Sequence, residues 1–142
     1  MGKTIHFFSE NTRYQPSHKT VLRKWITDCL SNEGFEAGTI NIIFCNDDFL
    51  YDMNVKYLSH HTLTDIITFS YSENPKITVG DIYISIERAR ENAGIYRVRL
   101  YNEVCRLIIH GILHLAGYSD KEPGEKTVMT SKEDYYLSLL PN

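Results

Sequence analysis

Arg97-Val-Arg-Leu-Tyr-Asn-Glu-Val-Cys-Arg-Leu-Ile-Ile-His-Gly-Ile-Leu-His-Leu-Ala116 is the stretch on which the architecture turns. Leu100, Tyr101, Val104, Leu107, Ile108, Gly111, Ile112 and Leu115 recur at three- and four-residue intervals, which predicts a helix from about Arg97 to Ala116. At 1.5 Å per residue it is about 30 Å long, enough to cross a domain. Projected at 100° per residue, Arg99, Glu103, Arg106, His110 and His114 form one polar ribbon along an otherwise apolar helix. A helix this apolar belongs in the middle of the fold, where polar groups are costly unless satisfied. Gly117 is a candidate left-handed terminator.

Working outward, Ile5, Phe7 and Phe8 read as a short strand before a polar turn over 9–17. Ser17 is a candidate cap for a helix with the apolar face Val21, Leu22, Trp25, Ile26 and Cys29, ending at Gly34. Residues 39–45 read as a strand rich in β-branched and aromatic side chains. Asn46 or Asp47 then caps a short helix carrying Phe49, Leu50, Met53, Asn54 and Tyr57. Strands are expected at Asp65–Phe69 and Gly80–Ile84, joined through a turn containing Asn74-Pro75. Ser85 can begin the next helix, with Gly94 a candidate interruption. A polar loop to about Thr130 precedes a last helix with Tyr135, Leu137, Leu139 and Leu140. Helices and strands alternate early and helices finish the chain, so the expected fold is α+β, a single compact domain over residues 1–142 with one small sheet.

The composition agrees. A chain of 142 residues, 42% apolar and 23% charged with four Pro and eight Gly, is one domain's worth of folded protein. It excludes a disordered chain, a collagen-like repeat and a disulfide-dense mini-protein. The formal charge of -3 excludes a global basic field, although the charge is polarised. Lys3, Arg13, Lys19, Arg23 and Lys24 face Glu10 alone in the first 24 residues, whereas 33–52 holds five acids and no base. Cys29, Cys45 and Cys105 are odd in number and widely spaced, which predicts free buried thiols in a reducing compartment. No stretch approaches the ~20 apolar residues of a bilayer span, and the first residues lack a secretory run. A cytoplasmic protein is expected.

The chemistry-bearing segment is His110-Gly-Ile-Leu-His114-Leu-Ala-Gly-Tyr-Ser-Asp120. Four-residue spacing stacks the two imidazoles one turn apart on one helix face, where both can offer nitrogens to one zinc ion. Gly117 lets the chain turn back, and Asp120 brings an oxygen for a third coordination place. Three protein ligands without a fourth favour catalysis over scaffolding. The competing structural reading is that the histidines hydrogen-bond to Glu103 or to backbone and that Asp120 merely starts a turn. The spacing is also that of zincin proteases, which place a general-base Glu after the first His; here that position is Gly111, which disfavours a protease and points weakly toward phosphoryl chemistry.

The run His110-Gly-x-Leu-His114-Leu-x-Gly117-Tyr118 resembles the signature of the bacterial YbeY family of metal-dependent endoribonucleases, or rRNA maturation factors. Asn54-x-x-Tyr57 followed by Thr64-Asp65-Ile66-Ile67-Thr68-Phe69 resembles a second family block, and Gly80-Asp81-Ile82-Tyr83-Ile84-Ser85 a third. The likeness extends from about residue 20 to 140. It implies a small mixed four-stranded sheet packed against several helices, with one zinc ion at the end of the long central helix. It implies trimming of single-stranded ribosomal RNA, at the 3′ end of 16S rRNA, and a part in ribosome quality control. Ribosomal RNA and the small ribosomal subunit are the implied partners, with no DNA and no membrane, and the oligomeric state is left open.

Carried over by position, His110 and His114 are metal ligands, and Asp120 stands where the family usually has a third histidine. An anionic ligand makes the ion less electrophilic. Leu58 replaces the Arg that usually follows the Tyr of the second block, and His61 replaces an Asp. Arg106, nearest the metal ligands by helical projection, is the candidate catalytic contact to phosphate; His60, His61, Arg88 and Ser85 are candidate substrate contacts. No general base or leaving-group acid is identified. The rivals are a zinc hydrolase of another substrate class and a ribosome-associated RNA-binding protein with weak or no catalysis.

Overall fold

The order of elements follows from where the apolar periods change along the chain. The computed structural model describes residues 4–58 and 64–141. Among these residues, β1 (Ile5–Ser9), α1 (Lys19–Asn32), β2 (Glu36–Cys45), α2 (Asp47–Leu58), β3 (Ile66–Ser70), β4 (Ile77–Ser85), α3 (Ile86–Tyr96), α4 (Leu100–Leu115) and α5 (Pro123–Ser138) succeed one another. The strands form a mixed sheet in the order β1-β2-β4-β3. β1 pairs with β2 and β2 with β4 in parallel, while β3 and β4 are antiparallel. The β3–β4 turn is closed by Asn74, whose carbonyl accepts from Ile77 N–H at 3.0 Å.

Alternation decides which face is covered. Ile40, Ile42 and Phe44 of β2 and Ile82 and Ile84 of β4 are fully buried beneath α1 and α4. Leu22, Trp25, Ile26, Cys29 and Leu30 face them from α1, and Val104, Cys105, Ile108 and Ile112 from α4. Trp25 is a core residue, as expected, and its Nε1–H donates to the Tyr136 carbonyl at 2.8 Å. On the other face a smaller cluster joins Leu50 of α2 to Cys45 and Ile67. All three cysteines are free and buried. No helix among the described residues is long and apolar enough to cross a membrane.

Four local expectations are corrected. Ser17 does not cap α1: His18 holds that place with φ 57° and makes no side-chain cap bond. Gly94 does not interrupt α3, which continues to Tyr96 and ends at Arg97, itself left-handed at φ 57°. The long helix therefore starts at Leu100, not about Arg97, and its 16 residues span about 24 Å. The last helix begins at Pro123, well before Thr130, because Glu122 and Glu125 form a reciprocal capping box with Pro123 at the first turn. Ser85 behaves as expected, accepting from Arg88 N–H at 3.2 Å to cap α3. So does Asn46, whose Oδ1 accepts from Phe49 N–H at 2.9 Å.

Close approach of α4 to the sheet sets the height of its polar ribbon. A Cβ added at Gly111 would lie 2.8 Å from Ile82 Cγ2 and 3.1 Å from Ile66 Cδ1. One turn later Leu115 packs over Gly80, where a Cβ would meet Leu115 Cδ2 at 2.7 Å and the Phe69 carbonyl at 2.5 Å. The position at which a zincin carries its glutamate thus faces β-sheet core, and only a residue without a side chain allows the contact.

Candidate metal centre

His110 and His114 stack as the helix spacing requires, their ring centroids 4.5 Å apart and their planes at 78°. Beyond them the helix unwinds in a left-handed cap. Gly117 adopts φ +105°, and the N–H groups of Gly117 and Tyr118 donate to the carbonyls of His114 and Leu113 at 3.0 Å. The reversed chain carries the Tyr118 carbonyl to His114 Nδ1 at 2.9 Å. Two residues on, Asp120 Oδ2 lies 3.3 Å from His110 Nε2 and 3.4 Å from His114 Nε2.

The donor set fits a single cation. The Tyr118 carbonyl can only accept, so His114 carries its proton on Nδ1 and turns an Nε2 lone pair inward. His110 Nδ1 faces the Glu133 carboxylate at 2.5 Å, which orients its Nε2 in the same way. The two Nε2 atoms are 2.9 Å apart with the Asp120 oxygen beside both. Three lone-pair donors converge, all within 4.8 Å of one another, and positive charge among them removes their mutual repulsion. At zinc's usual ligand distances two tetrahedral neighbours stand roughly 3.3 Å apart, close to the separations found. His110, His114 and Asp120 are therefore the residues that would hold one zinc ion.

The turn bearing Asp120 is anchored from α1. Tyr118 OH donates to Glu33 Oε1 at 2.6 Å, Lys132 Nζ donates to Glu33 Oε2 at 3.1 Å, and Tyr136 OH also donates to Glu33. Burial, the largest single influence on Glu33, raises its pKa, but the hydrogen bonds from Tyr118, Tyr136 and Lys132 outweigh it and hold the carboxyl below its ordinary value. The same bond to Glu33 pushes the Tyr118 phenol up.

Glu133 is the residue sequence reading missed. It sits on the buried face of α5 with Met129 and Tyr136, at helical spacing, and is 4% exposed. A helix begun after Thr130 leaves out Met129, so the buried period that Glu133 shares with Met129 and Tyr136 was cut short. Its second oxygen accepts from Arg106 Nη1 at 3.2 Å. Arg106 also donates from Nε and Nη2 to Glu103, at 2.8 and 2.5 Å, and Glu103 is 1% exposed. Asn92 Nδ2 bridges Glu103 to Asp65 at 3.2 and 3.1 Å. A continuous polar chain thus runs from Asp65 through Asn92, Glu103, Arg106 and Glu133 to His110.

These contacts revise several expected roles. Glu103 pairs with Arg106 and not with either histidine. Arg106 reaches the centre through Glu133, its three nitrogens engaged with buried carboxylates. Its guanidinium is held above its ordinary pKa, chiefly by the hydrogen bond to Glu103. Ser85 does not face a cleft: it is fully buried and donates to Asp47 Oδ1 at 2.5 Å. Arg88 joins it there, with Nε 3.1 Å from Asp47 Oδ2 and Nη2 2.9 Å from Glu91. Leu58 is exposed at the end of α2. His60 and His61 lie outside the described residues.

The family model described as endoribonuclease YbeY matches residues 5–141 of the chain. Among similar proteins, the endoribonuclease YbeY of Flavobacterium psychrophilum is 43% identical over 133 residues, covering 94% of each chain. That of Cytophaga hutchinsonii is 42% identical over 137 residues and covers 96% of each. That of Amoebophilus asiaticus is 41% identical, covering 94% of this chain and 90% of its own. The solution structure of TM1509 from Thermotoga maritima shares the fold, with a TM-score of 0.66 at 24% identity over 96% of this chain and 88% of that one.

Proposed function

The chain belongs to the YbeY endoribonuclease family, and from that premise we propose that it cleaves single-stranded ribosomal RNA, in maturation of the 16S rRNA 3′ end and in ribosome quality control, with the small ribosomal subunit as its partner. It is a metal-dependent hydrolase acting on phosphodiesters, and its cofactor is one zinc ion. The observation that carries this reading is the convergence of His110 Nε2, His114 Nε2 and Asp120 Oδ2.

When bound, zinc supplies Lewis acidity toward a phosphoryl oxygen and toward water. The chain's own contribution is orientation and charge. Two imidazoles, locked at Nδ1 by Glu133 and by the Tyr118 carbonyl, present fixed lone pairs. Asp120 adds a partly exposed carboxylate, its side chain 35% accessible. Three protein donors are the pattern of a catalytic rather than a structural zinc site. No general base comes from the next residue on α4, since Gly111 is packed on Ile82.

Purified protein is assayed with zinc on single-stranded RNA, on a peptide and on small phosphate esters, beside His114→Ala. Zinc-dependent RNA cleavage lost in the variant supports the reading. Turnover of another substrate class alone, or RNA binding without turnover, overturns it in favour of the corresponding rival; Asp120 and Leu58 in place of the family's His and Arg are what favour the second of these. End-group analysis of the product separates attack by water from attack by the RNA 2′-hydroxyl, which leaves a 2′,3′-cyclic phosphate.

A further inference from the structure

Glu133 is not one of the three converging donors; what it contributes is its contact to His110 Nδ1, and how that contact is set has a structural cause. Its two oxygens have different partners: Oε1 accepts from Arg106 Nη1 at 3.2 Å, and Oε2 faces His110 Nδ1 at 2.5 Å. Arg106 is itself fixed by two bonds to Glu103, which is further held by Asn92. A guanidinium only donates, so it dictates which end of residue 133 remains for the imidazole. His114 receives its orientation from a backbone carbonyl, which any sequence would supply. His110 receives it from a side chain 23 residues away, which makes its tautomer a property of residue 133.

We infer that Glu133, oriented by Arg106, is a positioning residue of the metal centre: it keeps the His110 proton on Nδ1 so that Nε2 offers its lone pair to the ion. The inference rests on the zinc-centre reading of this site. An acceptor on the far nitrogen of a ligating histidine fixes the ring and raises its basicity, and such partners are worth about 10–100-fold in metal affinity.

Glu133→Gln makes a sharp test. Arg106 claims the amide oxygen, because the amide nitrogen cannot accept from it. The amide NH2 then faces His110 Nδ1 and favours the opposite tautomer, with the proton on Nε2. In the metal-free protein, ring 15N NMR is expected to show the unprotonated His110 nitrogen moving from Nε2 to Nδ1, with His114 unchanged. Zinc affinity, measured by competition with a chromogenic chelator, is expected to fall about 10–100-fold. Glu133→Ala removes the acceptor without imposing the wrong tautomer and falls between wild type and Glu133→Gln. Met129→Ala trims the same buried face of α5 one turn earlier; it lowers the melting temperature and leaves the zinc affinity and the His110 spectrum as in wild type.

Glu133→Gln with the wild-type tautomer and affinity overturns the proposal. So does a loss of affinity in Glu133→Ala no greater than that in Met129→Ala, the comparison that decides if Glu133→Gln does not fold. A wild-type protein that takes up no zinc sinks the zinc-centre reading instead, and the ring spectrum of the metal-free protein still decides whether Glu133 sets the tautomer.

Discussion

Replacing one helical glycine by alanine has opposite consequences at two positions of this chain. Gly94 in α3 and Gly111 in α4 are both helical, and alanine is the better helix former by about 0.8–1 kcal/mol in a helix interior. A Cβ at Gly94 meets nothing within 4 Å, so Gly94→Ala keeps most of that gain, about 0.5–1 kcal/mol. A Cβ at Gly111 comes within 2.8 Å of Ile82 Cγ2 and 3.0 Å of Ile82 Cδ1. Ile82 is fully buried and β-branched on a strand, so its Cγ2 cannot swing aside. Overpacking of this kind costs about 1–3 kcal/mol, which exceeds the propensity gain over most of its range. Gly111→Ala is therefore expected to lose up to about 2 kcal/mol net, a few degrees in melting temperature for a chain of this size. The helix must also lift from the sheet, moving His110 and His114 relative to Asp120, so zinc affinity falls in Gly111→Ala and not in Gly94→Ala. Urea unfolding of the zinc-free proteins and chelator competition measure the two effects. If Gly111→Ala were as stabilising as Gly94→Ala, the close contact between α4 and β4 that keeps a base out of this position would be refuted.

Arg106→Leu leaves Glu103, 1% exposed, without its cation and is expected to cost about 3–5 kcal/mol in urea unfolding, far more than loss of a surface arginine. Asp120→His replaces an anionic ligand by a neutral one; RNA cleavage at fixed zinc is expected to quicken near neutral pH, with the pH–rate profile moving to lower pH. Glu33→Ala removes the shared acceptor of Tyr118, Tyr136 and Lys132 and is expected to cost about 1–3 kcal/mol at neutral pH. The hydrogen bonds hold the folded-state pKa of Glu33 below its ordinary value, so its stabilisation is present above that ordinary value and drains away as pH falls through the lower folded-state one. The stability gap between wild type and Glu33→Ala, followed by denaturant titration at several pH values, should accordingly be wide at pH 7 and narrow on the acid side.

Elements whose cause is local were legible in the chain. The strand at 39–45, the caps at Asn46 and Ser85, and the core face of α1 with Trp25 follow from side-chain shape and period, and they stand in the structure nearly where expected. The pair His110 and His114 was legible for the same reason, since two residues four apart on a helix meet whatever surrounds them. The misplaced start of α5 had a smaller cause: Glu122, Pro123 and Glu125 carry a capping signal that a polar-looking segment obscured. That boundary left out Met129, which shares the buried face of α5 with Glu133 and Tyr136, and the partner of Arg106 across α4 and α5 was not legible from spacing at all.

The amino-acid order by itself determined the ligand-bearing helix, the glycine that ends it and the pairing of His110 with His114, because each depends on steric and periodic rules acting over a turn or two. Only the tertiary structure decided that Asp120 turns toward the imidazoles, that Gly111 is pressed against Ile82, and that a carboxylate from α5 rather than Glu103 takes His110 Nδ1. Those contacts join residues distant along the chain, and their geometry is set by how closely helices can settle on a sheet whose side chains already fill the space.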